Sequence, residues 1–208
     1  MPSVAANRGT TLPDARTWQM DAGFRFLLTS KLKLIAGVFE IQKPYFNFDT
    51  SNVDRQLGIQ RARGVEISLS GEIFPNLNVA AGALLGEVKI IGSNLAAEGV
   101  GTTAFGQPHT QGTINANYKF PWLPALSADF TFQEFGAAPA SVDDVAQNHT
   151  ATVLAVGGRY RFKLWGAPTT LRVQVQNATD FYIWNYGYSP GFSQWPPRSY
   201  FAYLTADI

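Results

Sequence analysis

Two pairs of acids, two histidines and one glycine-rich stretch are the residues of this chain whose types could carry chemistry. The paired carboxylates are Glu66 with Glu72 and Asp143 with Asp144. General acid–base catalysis needs such an acid within reach of a nucleophile, a base or a reacting proton. Neither pair has such a partner at motif spacing, so both read as solvated or wall-lining acids. His109 and His149 each follow a long polar stretch and precede an apolar alternation. With only two histidines and no cysteine in 208 residues, His/Cys zinc sites and thiol nucleophiles are excluded. The stretch "GVGTTAFG", 99–106, is not followed by Lys-Ser/Thr and a helix, so it is not a phosphate-binding loop. Asn148-His149-Thr150 and Asn177-Ala178-Thr179 are nominal glycosylation sequons, a pattern short enough to arise by chance. No catalytic, metal or cofactor-binding residue is expected, and the chain is not expected to be an enzyme.

The elements that carry these residues are unusual in composition. Charged residues make up 15% of the chain and aromatics 13%, with 19 glycines. An average soluble domain is about 25% charged. The net charge of +1 gives no electrostatic case for nucleic acid. The opening "MPSVAANRGTTLPDAR" has no apolar segment after a basic start, so no secretory signal is read there. No run of about 18 apolar residues marks a transmembrane helix.

Nearly every segment alternates with the period of a strand. In "TINANYKF", Ile114, Ala116, Tyr118 and Phe120 oppose Asn115, Asn117 and Lys119. In "GVEISLSGEI", Val65, Ile67, Leu69 and Ile73 oppose Glu66, Ser68, Ser70 and Glu72. In "LRVQVQ", Leu171, Val173 and Val175 oppose Arg172, Gln174 and Gln176. In "KLIAGVFEI", Ile35, Phe39 and Ile41 oppose Glu40. The helix candidate "NLAAEGVGTTAF" is broken by Gly99 and Gly101. Nine strands are predicted, over 15–29, 32–48, 58–74, 77–91, 108–120, 125–135, 149–163, 169–178 and 197–208. Most are longer than the usual 5 to 6 or so residues, and long enough for the roughly 9 to 11 that cross a bilayer at a tilt.

Short turns at Ser30-Lys31, Pro75-Asn76, Pro121–Pro124 and Gly166-Ala167-Pro168 alternate with long loops at 49–57, 92–107, 136–148 and 179–196. That layout is expected of an outer-membrane barrel. Trp18, Tyr45, Phe46, Phe48, Phe74, Trp122, Phe135, Trp165 and Tyr182 fall near strand ends, as an interfacial girdle would. The polar faces suit either water around a small apolar-filled barrel or a wet lumen. Strand length and loop alternation favour the lumen. The predicted class is all-β: an antiparallel up-and-down transmembrane β-barrel segment.

Specific motifs resemble one family, the siderophore-receptor branch of the TonB-dependent outer-membrane receptors. Thr11-Leu12-Pro13, Gln19 and Gly23 match its "G..L.P…..Q.E.G.K" segment, with Asp21 where Glu is usual. Gln60, Arg61, Arg63, Gly64, Val65, Glu66 and Gly71 match "Q.SRGVE.E..G". Asn177, Asp180, Tyr182, Pro197 and Arg198 match the closing hairpin, which departs from the family in Ala178-Thr179 and in the terminal Ile208. The resemblance covers essentially residues 1–208. It implies roughly 22-stranded barrels whose lumen holds a plug, of which this chain supplies about nine C-terminal strands and no plug domain. A single-chain barrel normally has an even strand number, so nine points to part of a larger one. The missing signal peptide follows from the same cause.

The resemblance implies uptake of a ferric siderophore across the outer membrane of a Gram-negative bacterium. The ferric siderophore is the transported ligand rather than a cofactor. The partners are outer-membrane lipid and the TonB system, the latter reached through the missing N-terminal part. The implied ligand contacts are rings and one cation in outer-mouth loops: Tyr45, Phe46, Phe48, Trp184, Tyr186, Tyr188, Phe192, Trp195 and Arg198. Flat rings stack on catecholate or other planar groups, and Arg pairs with anionic oxygens. The alternative is a small complete barrel, either a lipocalin-like soluble binding module or an eight-stranded structural outer-membrane protein.

Overall fold

Residues 4–182, 184–186 and 192–207 are described in a computed structural model. Nine long strands form one antiparallel sheet, each paired with its neighbours in chain order. They are β1 (Trp18–Thr29), β2 (Leu32–Phe48), β3 (Asp54–Phe74), β4 (Leu77–Ile91), β5 (Thr110–Lys119), β6 (Leu126–Phe135), β7 (Ala151–Leu164), β8 (Ala167–Gln176) and β9 (Ser199–Ala206). Among the described residues β1 and β9 are the two ends of the sheet, and each has a single ladder. Among the described residues no helix is long and apolar enough to cross a membrane, which says nothing of strands.

The register divides the side chains into two faces. Val38, Val65 and Leu85 form one cross-strand row, and Ala36, Ile67 and Ala83 the next. Ile114, Phe130, Val156, Val173 and Ala202 continue this apolar face across β5 to β9. The other face carries Glu66, Ser68, Asn115, Thr131, Arg159 and Arg172. There Arg172 donates to both oxygens of Asp129, at 2.9 and 3.2 Å, and Arg159 approaches the same carboxylate at 3.9 Å. Large apolar side chains of the first face are open: Phe24 is 51% exposed, Leu85 63% and Val173 50%. A soluble sheet of this size would cover such a face.

The ladder corrects the reading of β2. Ile35 pairs with Ser68, and Phe39 with Gly64, so Ile35, Phe39 and Ile41 lie on the polar face. Glu40 lies on the apolar one, in a row with Arg63 and Glu87. The reason is packing. Phe39 covers Gly64, where a Cβ would stand 3.0 Å from its ring, while Leu34, Ala36 and Val38 supply the outward apolar positions.

Turn chemistry sets the lower end. Trp165 and Gly166 carry φ of 51° and 86°, the left-handed pair of a two-residue hairpin turn. β8 therefore starts at Ala167, and Ala167-Pro168 belong to the strand rather than to the predicted turn. At Gly71, φ is 138° and a Cβ would lie 1.8 Å from the Lys31 carbonyl oxygen. Only glycine fits there.

The upper end is more ordered than the loop pattern foretold. β3 begins at Asp54, four residues before the predicted start at 58, because it keeps pairing with β2 beyond a bulge at Tyr45/Phe46. The stretch 92–104 folds back over β2 to β4. Leu95, Val100 and Ala104 join Ile90 in a small buried core against Tyr45, Leu57 and Val88. Ala96–Glu98 is a single 3-10 turn ended by Gly99 at φ 67°, so the glycine stops the helix as expected. Two short ladders lie in the other loops, Ala138–Pro139 with Gln147–Asn148 and Trp184–Tyr186 with Phe192–Gln194.

Candidate functional site at the upper loops

The long loops gather at one end of the sheet, where two assemblies stand on the polar face. The first is the β2–β3 tip. Asp49 accepts from the Ser51 and Val53 N–H groups at 2.9 and 3.0 Å and from Arg55 Nε at 2.7 Å. Arg55 also reaches Glu98 at 2.9 Å, and Glu98 in turn accepts from the Thr50 N–H. The Arg55 guanidinium, then the two backbone donors, hold the Asp49 carboxyl below its usual range. The N-terminal segment docks on this tip: the Asn7 side chain exchanges two hydrogen bonds with the Asp54 backbone, at 2.8 and 3.0 Å.

The second assembly is a small aromatic cavity above β6 and β7, about 90 Å³, lined by Pro108, Phe135, His149, Val153, Trp184 and Trp195 among others. Phe135 and Trp195 lie 5.8 Å apart between ring centroids, tilted by 49°. Asn148 Nδ2 donates to the Trp184 carbonyl at 3.0 Å and so ties the last loop to the β6–β7 loop.

Asn177 sets the base of the last loop. It is 2% exposed and has φ of 47°. Its Nδ2 donates to the carbonyls of Phe181 (2.9 Å) and Pro196 (3.1 Å), and its Oδ1 accepts from the Phe181 N–H (2.9 Å). Asp180 accepts from the Arg198 N–H at 3.1 Å. The two loop limbs are thereby tied together below Trp184 and Trp195. A buried amide with both donated bonds occupied is not a glycan acceptor, so the sequon here is accidental.

Of the residues expected at the mouth, the structure brings Trp184 and Trp195 together. Tyr45 is packed into the core under the 92–104 stretch, where Asn47 Nδ2 donates to its hydroxyl at 2.9 Å. Phe46 and Phe48 are half-buried on the same hairpin. Arg198 is exposed beside the loop base. Tyr186 is placed by its backbone in a short ladder with Phe192, and Tyr188 and Ile208 lie outside the described residues. Phe135 and Tyr45 face inward and are not girdle residues, whereas Trp18, Phe74, Trp122 and Trp165 are open at strand ends, Trp165 by 97%. The cavity's Phe135 and Pro108 were not expected at a site. The readable signal for Phe135 was its alternation with Glu134 at the end of β6.

No family model and no curated protein matches this sequence. Solved structures do. The ferric preacinetobactin receptor BauA of Acinetobacter baumannii aligns with all of this chain at a TM-score of 0.82 and 24% identity. The fold is that of a siderophore-receptor barrel. The ferric-catecholate import receptor Fiu of E. coli K12 covers 98% of the chain at 0.75 and 20% identity. The pyoverdine outer membrane receptor FpvA of Pseudomonas aeruginosa PAO1 covers 93% at 0.74 and 18%. The chain spans 32%, 29% and 30% of the length of these three receptors. All three are described as receptors, Fiu as an import receptor.

Proposed function

We propose that residues 1–208 are the C-terminal part of the barrel of a TonB-dependent receptor that takes up a ferric siderophore across a Gram-negative outer membrane. The observation that carries this is the alignment of the whole open sheet, at a TM-score of 0.82, with one stretch of a siderophore receptor. The open edges support it. Among the described residues β1 and β9 do not pair, and hydrocarbon does not tolerate unpaired strand edges. Further strands of a roughly 22-stranded barrel would cover both. The same openness counts against a complete lipocalin-like or eight-stranded barrel. In this reading the apolar face meets lipid, the polar face lines the lumen, a plug sits within it, and TonB acts through that plug.

Ligand capture falls to the aromatic cavity and the loops beside it. A cavity of about 90 Å³ admits one planar ring, not a whole ferric complex, so it would hold one arm of the ligand. The test is a titration of the full chain in micelles with a ferric catecholate, followed by tryptophan fluorescence. Saturable quenching that weakens about tenfold in Trp195→Ala, the scale of one lost aromatic contact, supports the reading. Absence of saturable quenching with ferric catecholate and ferric hydroxamate complexes alike refutes it.

A further inference from the structure

On the apolar face, charge begins abruptly. Along β3 the outward side chains run Phe74, Leu69, Ile67, Val65 and then Arg63 and Arg61. From Phe74 to Val65, with the bulge counted as one step, is about 27 Å of strand, or roughly 20 Å along the axis of a barrel whose strands tilt by 35–45°. The charged rows therefore start where an apolar band of about 25 Å ends. The lower row is Glu40, Arg63 and Glu87, and the one above it Gln42, Arg61 and Lys89. The lower row carries two acids and one base: Arg63 Nε donates to Glu87 at 2.6 Å, and the neutral Gln42 Nε2 donates down to Glu40 at 2.6 Å.

The upper row is not matched. Arg61 and Lys89 are direct cross-strand partners. Like charges in that position destabilise a sheet. Lys89 leans down to Glu87, at 2.9 Å, and shares that acid with Arg63. Arg61 has no acidic partner among the described residues. Just below, a groove of about 580 Å³ is walled by Met20, Ala22, Val38, Val65 and Leu85, with Glu40, Arg63 and Glu87 at its rim. An unpaired arginine beside a lysine that shares its one acid, above an apolar groove, fits a molecule with an anionic head and hydrocarbon tails.

We propose that Arg61 and Lys89 bind the phosphate of a membrane lipid of net negative charge, whose acyl chain lies in the groove between Met20 and Leu85. This rests on the membrane reading of the apolar face. The anion separates the two cations and supplies the counter-charge that the sheet lacks, and Arg61 contributes a planar fork suited to phosphate oxygens. Each basic group at a membrane surface adds affinity for anionic lipid.

The test is native mass spectrometry of the full chain released from micelles containing equal amounts of dioleoylphosphatidylglycerol and dioleoylphosphatidylcholine. The wild type retains phosphatidylglycerol in preference. Arg61→Gln with Lys89→Gln lowers that preference by about tenfold, and Arg61→Lys keeps most of it. Lys119→Gln with Arg161→Gln, on the polar face, leaves it unchanged. Equal retention of both lipids by the wild type, or unaltered preference in the Arg61/Lys89 variant, overturns the site while leaving the membrane reading standing. Release of the lipid by millimolar inorganic phosphate also overturns it, because the groove then adds nothing. A chain that retains neither lipid refutes the membrane reading itself.

Discussion

Replacing Asn177 by alanine should open the last loop without unfolding the sheet. Asn177 makes three hydrogen bonds, two to Phe181 and one to Pro196, each worth about 1 kcal/mol net. Its φ of 47° lies in the left-handed region, where alanine costs roughly 1 kcal/mol more. Allowing for water reaching the freed groups, about 3 kcal/mol is lost, or a factor of roughly 100 in the local opening equilibrium. The assay is hydrogen exchange of the Phe181, Tyr182 and Arg198 amides, with the Arg172 amide on β8 as an internal reference. The expected result is exchange faster by about two orders of magnitude at the first three, and unchanged at the reference. Asn177→Gly removes the conformational penalty but not the lost bonds, so it should fall between, at about thirty-fold. If Asn177→Ala exchanges like the wild type, the clamp does not hold the loop. If Asn177→Gly matches the wild type while Asn177→Ala does not, backbone conformation rather than hydrogen bonding is what Asn177 supplies.

Three further outcomes follow from the same structure. Gly71→Ala forces a Cβ into the Lys31 carbonyl and should cost on the order of 3 kcal/mol, read as a lowered urea midpoint; a shift worth under about 1 kcal/mol would mean the backbone there relaxes freely. Asp129→Asn and Arg172→Met should couple in a double-mutant cycle by about 1 kcal/mol, since each alone leaves its partner half-buried on the polar face; purely additive effects would deny the pair any energetic role. The depressed Asp49 pKa contributes stability that is present above the ordinary carboxylate value and lost as pH falls through the folded one. The Ser51 and Val53 amides should therefore keep their protection at pH 5 and lose it only below about pH 4; loss already at pH 6 would contradict the assignment.

What the sequence disclosed follows from what periodicity can encode. The strands were legible because each must present one face to each side, and alternation records that directly. Their lower ends were legible too, since Asn76 (φ 69°) and Gly166 (φ 86°) are residue types that tight turns require. The β2 inversion was not legible. Leu34, Ala36 and Val38 are as apolar as Ile35, Phe39 and Ile41, so only pairing with β3 decides which set turns outward. The 92–104 stretch was opaque for a similar reason: Leu95, Val100 and Ala104 follow neither a strand nor a helix period, and the core they form is defined by Tyr45 and Ile90 from distant strands. At the mouth, the ring types pointed to the last loop. Their convergence on Phe135 depends on the Asn148–Trp184 bond and the Asn177 clamp, which join segments 36 and 19 residues apart.

The measurement that bears most directly on the membrane reading uses the absence of cysteine in the chain. Single cysteines at Val173 and Gln174, spin-labelled and placed in phospholipid vesicles, lie on opposite faces of β8. The account predicts that the label at 173 collides with dissolved oxygen and is shielded from a water-soluble nickel chelate, and that the label at 174 does the reverse. Equal access of the chelate to both positions would contradict the claim that Leu171, Val173 and Val175 face lipid.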